Sequence, residues 1–407
     1  MLLFGPSRAF SGVVPAMTPL ALYLHIPFCQ RKCPYCDFNT YAGREGRYGA
    51  YAQALATDLA REGLRRGRPD VRTVFVGGGT PTVLTPAQLE TIWAGLQQGF
   101  RLLPEAEITV EANPGTVDRE RFQTLRRLGV NRLSLGVQSF AAEELRFLGR
   151  IHDADDAVAA VNLARRVGFT NINLDLIFGL PHQNPQTWAR NLEQALALAP
   201  EHLSLYSLTV EEGTPLATWV AQGRVPAPDP DLAADLYELA CERLEAAGYH
   251  HYEISNWARG PLEADGLPRF AARHNLVYWQ NEAYLGFGPG AHSHENGRRW
   301  AIIPSPEAYI HSVAVGPPPR ALEEALSPAL VMGETMMLGL RLVAVGVSRQ
   351  AFRQRFGRDV AEVYGQVLAE FGARGLLEVT PERVRLSRRG WLLANPVFAA
   401  FLPDETE

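Results

Sequence analysis

Three of the four cysteines in this chain lie within eight residues, at Cys29, Cys33 and Cys36. Thiolates at such short spacing are typical ligands of iron–sulfur clusters. A closed cubane cluster takes four thiolates, so three would leave one iron without a protein ligand and open to chemistry. The C-x3-C-x2-C spacing also differs from the paired C-x2-C arms of structural zinc sites. The spacing therefore favours a cluster with one open iron.

Two other interpretations of these cysteines remain open from the residues alone. One is a zinc site completed by His25 or Asp37, and the other is a redox pair with a third, uninvolved cysteine. The remaining cysteine, Cys241, falls on a helical pattern among apolar neighbours, where we expect it to be buried and unreactive. Clustered cysteines, without the spread-out pattern of disulfides, indicate a reducing compartment such as the cytoplasm.

Composition describes an ordinary globular protein. The 407 residues are 46% hydrophobic and 20% charged, with a net charge of −5 and a pI near 6.1. This acidic balance gives no electrostatic reason to expect a nucleic-acid partner, and no stretch has the length and apolarity of a membrane span. Lys32 is the only lysine, so chemistry that needs a lysine Schiff base is disfavoured.

Short β-rich runs alternate with amphipathic stretches from residue 21 to about residue 210. The predicted strands are Leu22–Pro27, Thr73–Gly77, Glu107–Ala112, Arg132–Val137, Asn171–Phe178 and His202–Leu208. The predicted helices between them are Tyr51–Arg65, Pro86–Leu96, Asp118–Leu128, Asp155–Val167 and Pro185–Leu198. This alternation implies a parallel sheet with right-handed crossovers, and six units are too few for a closed eight-stranded barrel.

Polar or flexible residues follow the carboxyl ends of these predicted strands, where parallel α/β folds place their sites. The cysteine loop follows the first strand. Later strands carry the glycine run Gly77–Gly79, then Glu111, Gln138 and Asp175. The glycine run lets a ligand approach the backbone, and it lacks the Lys-Ser/Thr of a phosphate loop. The convergence of these groups predicts a binding site at one mouth of the sheet.

The C-terminal part changes to a helical pattern after Pro317–Pro319. The expected elements are helices at Pro328–Leu342, Ser348–Phe356 and Val360–Phe371, then strands at Gly375–Val379 and Arg383–Ser387. This order suggests a winged-helix-like domain. We therefore expect four parts: an N-terminal extension at 1–19 with Met17 as a candidate start, a core at 20–250, a connecting segment at 251–320 and the winged-helix-like domain at 321–407.

The phrase Tyr23-x-His25-Ile-Pro-Phe-Cys29, together with the cysteine spacing, resembles the radical S-adenosylmethionine (SAM) superfamily. The resemblance implies a [4Fe-4S] cluster on Cys29, Cys33 and Cys36, with SAM chelating the fourth iron through its amino and carboxylate groups. An electron from the cluster then cleaves SAM to a 5′-deoxyadenosyl radical, a step that needs an external electron donor. The implied fold class is α/β: a partial (β/α)6 TIM-like barrel as the radical SAM core, with the C-terminal winged-helix-like domain.

The same resemblance implies a SAM site at the mouth of the barrel. Gly78, Gly79 and Thr80 would receive the amino group of SAM, and Arg150 would pair with its carboxylate through two parallel hydrogen bonds. The residues expected to bind ribose hydroxyls or the amino group, or to lie beside SAM, are Tyr23, Tyr35, Glu111, Gln138 and Asp175. Taken singly, each of these would more often be a structural residue. Together, at matching positions, they favour a SAM site.

Within the superfamily, the sequence is similar to two related families, the oxygen-independent coproporphyrinogen III dehydrogenases and the HemW haem chaperones. The dehydrogenases carry a further cysteine two residues after the cluster motif, where this chain has Cys36-Asp37-Phe38. Their longer N-terminal extension is also expected to be absent, because the cluster motif begins at residue 29. Both differences favour the HemW family.

The segment His274-Asn275-Leu-Val-Tyr278-Trp279 fits the H-N-x-x-Y-W motif associated with haem binding in the HemW family. A histidine can supply an axial donor and aromatic rings can cover the macrocycle. The resemblance thus predicts haem contact by these four residues, with His274 as the axial ligand. The alternative is a half-buried strand in which His274 hydrogen-bonds internally. Weaker candidates for a haem ligand are His292, in the loop Gly286–His294, and the pair His250–His251.

The resemblance implies a cytoplasmic haem chaperone, acting also at the inner membrane face, without coproporphyrinogen dehydrogenase activity. Such a protein captures haem, forms a cluster-dependent homodimer and transfers haem to acceptor proteins. Two alternatives from other classes remain: the dehydrogenase itself, using the same SAM site, and a DNA-binding regulator built on the winged-helix-like domain. Against the regulator, the four arginines of Arg383–Arg389 lie beside Glu378 and Glu382 in an acidic chain.

Overall fold

The computed structural model describes residues 19–403. The expected extension at 1–19, with Met17 as a candidate start, lies outside this range apart from Pro19. Within the described range, the helices are all too short or too polar to cross a bilayer.

Six parallel strands form the centre of the sheet in the order of the chain. They are β1 (Leu20–Ile26), β2 (Asp70–Gly78), β3 (Arg101–Ala112), β4 (Arg132–Gln138), β5 (Ile172–Phe178) and β6 (His202–Ser207). Leu24 pairs with Val76, and Val76 with Val110, so equivalent apolar positions of neighbouring strands share one face. Each strand begins or ends within a few residues of its predicted bounds, except that β3 starts earlier.

Helices connect these strands and cover the outer face of the sheet. They are α1 (Tyr48–Arg65), α2 (Pro86–Gly99), α3 (Arg119–Arg127), α4 (Ala142–Phe147), α5 (Ala154–Val167) and α6 (Pro185–Ala197). Side-chain caps fix where several of them start. Thr85 and Gln88 form a capping box at α2, and Asp153 and Asp156 form one at α5. The main core lies between these helices and the strands.

Helices α1 and α2 pack at very close range, through glycines. A Cβ atom added to Gly95 would lie 2.2 Å from the carbonyl oxygen of Ala56, and one added to Gly63 would lie 2.1 Å from that of Gly99. No side chain fits at such distances. The two helices therefore meet backbone to backbone.

Further strands extend the sheet at both edges. The elements are α7 (Pro215–Ala221), α8 (Pro230–Ala246), β7 (His250–Glu253), β8 (Asn256–Ala258), α9 (Arg273–Trp279), β9 (Tyr284–Phe287), β10 (His292–Glu295), β11 (Arg298–Ile302), α10 (Pro306–Val315) and β12 (Arg320–Ala325). The twelve-stranded order is β12-β11-β10-β9-β1-β2-β3-β4-β5-β6-β8-β7. Strand β9 runs parallel to β1, and the other added strands are antiparallel to their neighbours. The sheet stays open, and the predicted α/β fold class is confirmed.

The C-terminal part has the element order of a winged helix. Its elements are α11 (Pro328–Gly339), β13 (Val347–Ser348), α12 (Arg349–Phe356), α13 (Val360–Ala373), β14 (Leu377–Val379), β15 (Arg383–Leu386), α14 (Arg388–Trp391) and α15 (Ala394–Ala399). The small sheet is ordered β13-β15-β14 and is antiparallel. It packs on its own apolar cluster, which includes Met336, Phe352 and Val384. Arg341 joins this part to the barrel by an ion pair with the fully buried Glu253.

Candidate functional site

The cysteine loop closes on itself directly after β1. The amide of Cys29 donates to the carbonyl of Tyr41 at 3.1 Å, and the amide of Cys36 donates to the carbonyl of Cys33 at 3.2 Å. Lys32 Nζ donates to the carbonyl of Phe38 at 3.3 Å. These contacts hold the three thiols on one short loop at the carboxyl end of the sheet.

Two neighbouring side chains approach the sulfur atoms. The hydroxyl of Thr80 donates to Cys29 Sγ at 3.5 Å, and Arg150 Nη1 donates to Cys33 Sγ at 3.7 Å. Burial raises the pKa of Cys29, and the Thr80 hydroxyl opposes this shift. Burial likewise raises the pKa of Cys36. Because metal binding requires thiolates, donors and a positive charge placed here favour the form that binds iron.

A cavity of about 340 Å³ opens beside this loop. It brings together the three cysteines and eight of the nine residues predicted to contact SAM: Tyr35, Gly78, Gly79, Thr80, Glu111, Gln138, Arg150 and Asp175. The ninth, Tyr23, lies deeper in the barrel, where its hydroxyl and His25 Nδ1 share a hydrogen bond of 2.9 Å. The volume falls within the range of small-molecule sites.

The glycine turn at the end of β2 fits against β1 with no room for side chains. The amides of Gly79 and Thr80 donate to the carbonyls of Ile26 and Phe28, both at 2.8 Å. Gly78 has a φ of +105°, and a Cβ atom there would lie 2.3 Å from His25 Nδ1. Glycine is therefore required both for the backbone conformation and for the close approach.

Two carboxyl groups lie buried on the inner face of the barrel. Glu111 accepts from the Gly78 amide at 3.0 Å, and burial together with the negative charge of Asp175 raises the pKa of Glu111 to about 8. Burial also raises the pKa of Asp175, which accepts from Ser134 Oγ at 3.0 Å and from Asn173 Nδ2 at 2.8 Å. Carboxyl groups held in this way suit hydrogen bonds with ribose hydroxyls or an amino group.

Gln138 and Arg150 complete the wall of the cavity. Gln138 has a φ of +68°, which is unusual for a residue with a side chain, and it follows a register shift between β4 and β5. Arg150 Nη2 donates to the carbonyl of Gly136 at 2.6 Å, while its Nε is buried without a partner. A guanidinium on the cavity wall with an unpartnered Nε is a group that can pair with a carboxylate.

The structure adds wall residues that the sequence pattern did not single out. Tyr206 and Ser207 come from the end of β6, and Ser134 and Ile177 come from β4 and β5. The signal for the first two was present, because the sixth strand was predicted to end at the same mouth. Ser134 carries no such signal, since a serine within a strand is unremarkable until its neighbours are known.

The zinc alternative fits this geometry poorly. Both ring nitrogens of His25 are engaged, Nδ1 by the Tyr23 hydroxyl and Nε2 by the carbonyl of Asn39 at 2.9 Å. Across the described residues, no three His, Cys, Asp or Glu side chains converge closely enough to hold one metal ion. A cubane cluster does not require the three side chains to meet at one ion, because each cysteine binds a different iron.

The H-N-x-x-Y-W segment forms the short helix α9, and not the strand considered as the alternative. His274 is buried: its Nδ1 and the Thr73 hydroxyl share a hydrogen bond of 2.9 Å, and so do its Nε2 and the Tyr278 hydroxyl. Burial lowers the pKa of His274 to about 3. Trp279 instead faces a second cavity, while Asn275 is half-buried. The four motif residues therefore do not face one space.

The remaining candidate histidines and the fourth cysteine lie apart from the cluster cavity. His251 stacks on Trp257 with 4.3 Å between ring centroids, whereas His250 is exposed. His292 is exposed in a shallow groove beside Lys32 and Phe38. Cys241 is buried on α8, and burial raises its pKa to about 12, so the thiol stays protonated.

Comparison with known proteins places these features in a family context. Residues 23–195 match the radical SAM superfamily, and residues 326–393 match the HemN C-terminal domain. The haem chaperone HemW of Bacillus subtilis is 38% identical over 384 residues, which span 94% of this chain and 99% of that protein. The haem chaperone HemW of Escherichia coli is 43% identical over 278 residues, which span 68% of this chain and 70% of that protein.

A solved structure gives a similar picture. The coproporphyrinogen III oxidase HemN of Escherichia coli, a radical SAM enzyme, matches with a TM-score of 0.80. The match has 26% sequence identity and covers 94% of this chain and 90% of that one. The likeness thus includes the C-terminal part as well as the barrel.

Proposed function

The chain belongs to the HemW family within the radical SAM superfamily, and from this premise we propose that it binds haem and passes it to haem proteins. The observation that carries the proposal is the 38% identity with a haem chaperone over nearly the full length of both chains. Membership of the superfamily also implies a [4Fe-4S] cluster and SAM.

The residues at the carboxyl end of the sheet suit both of these groups. We assign the cluster to Cys29, Cys33 and Cys36, whose loop presents three thiols and leaves one iron free. When bound, the cluster would supply an electron and an open iron that the amino and carboxylate groups of SAM can chelate. Arg150, with its buried and unpartnered Nε, is assigned to the SAM carboxylate.

The other SAM contacts follow from the chemistry of the wall. Gly78, Gly79 and Thr80, which line the cavity, are assigned to the amino group of SAM, and Gln138 lines the same cavity from β4. Glu111 and Asp175 are assigned to ribose hydroxyls. Tyr35 lies beside the cysteines, and Tyr23 supports the site from below through His25.

Coproporphyrinogen III dehydrogenation is the second candidate, favoured by the TM-score of 0.80 with HemN. The lower identity of 26% and the sequence Cys36-Asp37-Phe38, in place of a further cysteine, argue for the chaperone. A role as a DNA-binding regulator is disfavoured. In a winged helix, α13 would be the helix that enters the major groove of DNA, but it carries Glu362 and Glu370 and no basic residue.

One experiment separates the two main candidates. Cluster-reconstituted protein, kept without oxygen, is given reductant, SAM and coproporphyrinogen III, and an authentic dehydrogenase serves as the positive control. In parallel, haem-loaded protein is mixed with an apo-haemoprotein, and haem transfer is followed by absorbance. We expect transfer without decarboxylation. Formation of protoporphyrinogen by this chain would overturn the proposal in favour of the dehydrogenase.

We also propose three finer features of this function. They are a site of action in the cytoplasm and at the inner membrane face, an external electron donor for any cleavage of SAM, and a cluster-dependent homodimer.

We also propose that the chain divides at residues 250/251 and 320/321. The separate apolar cluster of the winged-helix-like part supports the second of these boundaries.

A further inference from the structure

A second cavity, larger than the one beside the cysteines, lies between the barrel and the winged-helix-like part. It has a volume of about 700 Å³. Its barrel wall is formed by Leu20 and Arg72, at the beginnings of β1 and β2, and by Trp279 at the end of α9. Val347 and Phe352 close it from the other side. The cavity therefore opens at the amino end of the parallel strands.

The walls of this cavity combine apolar with polar side chains, and Trp279 and Phe352 are the aromatic ones. Trp279 is half-buried there, and the guanidinium of Arg341 lies 4.4 Å from the centre of its ring. The indole Nε1 of Trp279 is buried without a hydrogen-bond partner. Leu342 and Val347 add aliphatic surface. Such a lining suits a flat apolar ligand.

Two arginines on the wall have no carboxylate partner in the part of the chain that the structure describes. Arg355 donates to the carbonyls of Gln280 at 3.4 Å and Asn281 at 2.9 Å, and Arg383 donates to the carbonyl of Val345 at 2.8 Å. The three carboxylates of the wall are already paired: Glu282 with Arg72, Glu295 with Arg66 and Asp265 with Arg273. The cavity thus keeps two positive charges that remain available to an anionic ligand.

His294 supplies a donor for a metal at the same place. It is buried, and its Nδ1 lies 3.3 Å from the carbonyl oxygen of Glu282, which leaves Nε2 without a partner in the described chain. Burial lowers the pKa of His294, which favours the neutral ring. A neutral imidazole with one nitrogen held by a carbonyl is the usual form of a metal-ligating histidine.

We propose that this cavity is the haem site, with His294 as the axial ligand, Trp279 against the macrocycle, and Arg355 and Arg383 at the propionates. The proposal rests on the haem-chaperone function and locates its ligand. It differs from the motif-based prediction, because both ring nitrogens of His274 are already bonded. Trp279 is the one residue of the motif that lines the cavity.

The position separates haem from the cluster. His294 pairs with Tyr284, which pairs with Ala21 near the beginning of β1, whereas Cys29 follows the end of that strand. Seven residues rising about 3.3 Å each place the two sites about 20 Å apart. Haem binding is therefore expected to survive the loss of the cluster.

The first test is titration of the full chain with ferric haem, followed by the Soret band. His294→Ala should change the band and raise the Kd more than about tenfold. Ala351→Trp should also raise the Kd, because Ala351 lines the cavity and is exposed on α12, so the larger ring takes up space inside the cavity. His292→Ala is the matched control and should bind as the unaltered protein does. Circular dichroism checks that each variant folds.

The second test compares haem with its dimethyl ester, which lacks the propionate charges. The unaltered protein should prefer haem, and Arg355→Gln with Arg383→Gln should remove that preference. Equal binding of both probes by the unaltered protein would overturn the role of the arginines. Unchanged Kd values in both His294→Ala and Ala351→Trp would overturn the site but leave the chaperone function standing. Absence of haem binding by the unaltered protein would refute the function itself.

Discussion

Several residues that line the cluster cavity have unsatisfied hydrogen-bonding groups or shifted pKa values. The guanidinium of Arg150 contacts a sulfur and a carbonyl, yet its Nε has no acceptor. Glu111 and Asp175 are buried with pKa values raised above their ordinary values. Buried polar groups are normally satisfied, so this concentration of unsatisfied or perturbed groups marks a ligand site.

Replacement of Cys33 by alanine should abolish cluster binding while the chain remains folded. Cys33 is half-exposed on the loop, and its side chain contacts Arg150 through the sulfur atom. The loss of this sulfur should therefore not disturb the core. Iron and sulfide content after reconstitution measures the effect. Cys241→Ala is the control and should keep the full iron content, because that thiol is buried on α8. A Cys33→Ala variant with unchanged iron content would contradict the assigned ligand set.

Arg150→Met should weaken SAM binding through loss of the carboxylate contact. A hydrogen bond to a charged group contributes about 1.5–3 kcal/mol, so the Kd should rise about 10- to 100-fold. Isothermal titration of the reconstituted protein gives the value. Arg146→Met, at an exposed position on α4, should bind SAM normally. An equal loss of SAM affinity in both variants would show that the net charge of the protein, and not a contact at Arg150, is responsible for the loss.

Glu111 should make the fold less stable as the pH rises. Its carboxyl keeps a proton to a pKa of about 8 in the folded protein, but only to its ordinary value of 4.5 when unfolded. Between these values the folded state binds the extra proton, so the free energy of unfolding falls from about pH 5 to about pH 8.

Glu111→Gln should lack this decline, because an amide needs no proton. Urea unfolding at several pH values would show a gain in stability, relative to the unaltered protein, that grows towards pH 8. The exposed Glu143→Gln should leave the slope unchanged. Parallel pH profiles for the unaltered protein and Glu111→Gln would refute the shifted pKa.

Among the elements, the helix pair α1–α2 has the tightest requirement on sequence. Its contact depends on Gly63, Gly95 and Gly99, where added side chains would meet backbone atoms of the facing helix. Backbone cannot move aside as a flexible side chain can. The alanine-rich and glycine-rich pattern of both helices is therefore a packing feature rather than a weakness in helix propensity.

Gly95→Ala should lower the free energy of unfolding by about 1–3 kcal/mol or more, because its Cβ would lie 2.2 Å from the Ala56 carbonyl oxygen. Gly372→Ala on α13 is the matched change, since a Cβ there meets nothing within 4 Å. It should stabilise the protein by up to about 1 kcal/mol through helix propensity. The denaturant midpoint of each variant gives the change in stability. Midpoints that shift in the same direction for both variants would contradict this account.

At the scale of the whole molecule, buried ion pairs hold the winged-helix-like part on the barrel. Arg341 pairs with Glu253, and Arg299 on β11 donates to both carboxylate oxygens of Glu334, at 2.7 and 2.8 Å. The backbone of Ile254 also donates to the Arg341 carbonyl at 3.1 Å. These contacts hold together the two parts whose residues line the larger cavity, so binding there depends on both parts of the chain.

Glu253→Ala should destabilise the protein by about 3–5 kcal/mol, because removal of one member of a buried pair leaves the other charge uncompensated. The loss of stability should appear as faster proteolysis near the proposed boundary at residues 320/321 and as a lower urea midpoint. Glu378→Ala breaks a largely exposed pair with Arg385 and should cost at most about 1 kcal/mol. Similar losses in the two variants would argue against a docking role for Glu253.

The strand–helix alternation allowed the barrel and most of the cluster cavity to be predicted from sequence. The periodicity of apolar residues predicted six strands. Because sites in parallel α/β folds lie at the carboxyl ends of the strands, residues as distant in sequence as Cys29 and Asp175 were predicted to share one site. Two features could not be predicted in this way. The H-N-x-x-Y-W segment is a single short helix, which is too brief for a periodic signal. The larger cavity depends on how two packed parts meet, and no local pattern contains that information.

The lone lysine gives the protein an unusual property for bioconjugation. Apart from the α-amino group, the chain offers one primary amine, and Lys32 presents it exposed between two of the cluster cysteines. An amine-reactive fluorophore would therefore attach at a single internal position, with no engineering of the chain. Its emission would be quenched by a nearby iron–sulfur chromophore, so the label would report cluster assembly and loss as they happen.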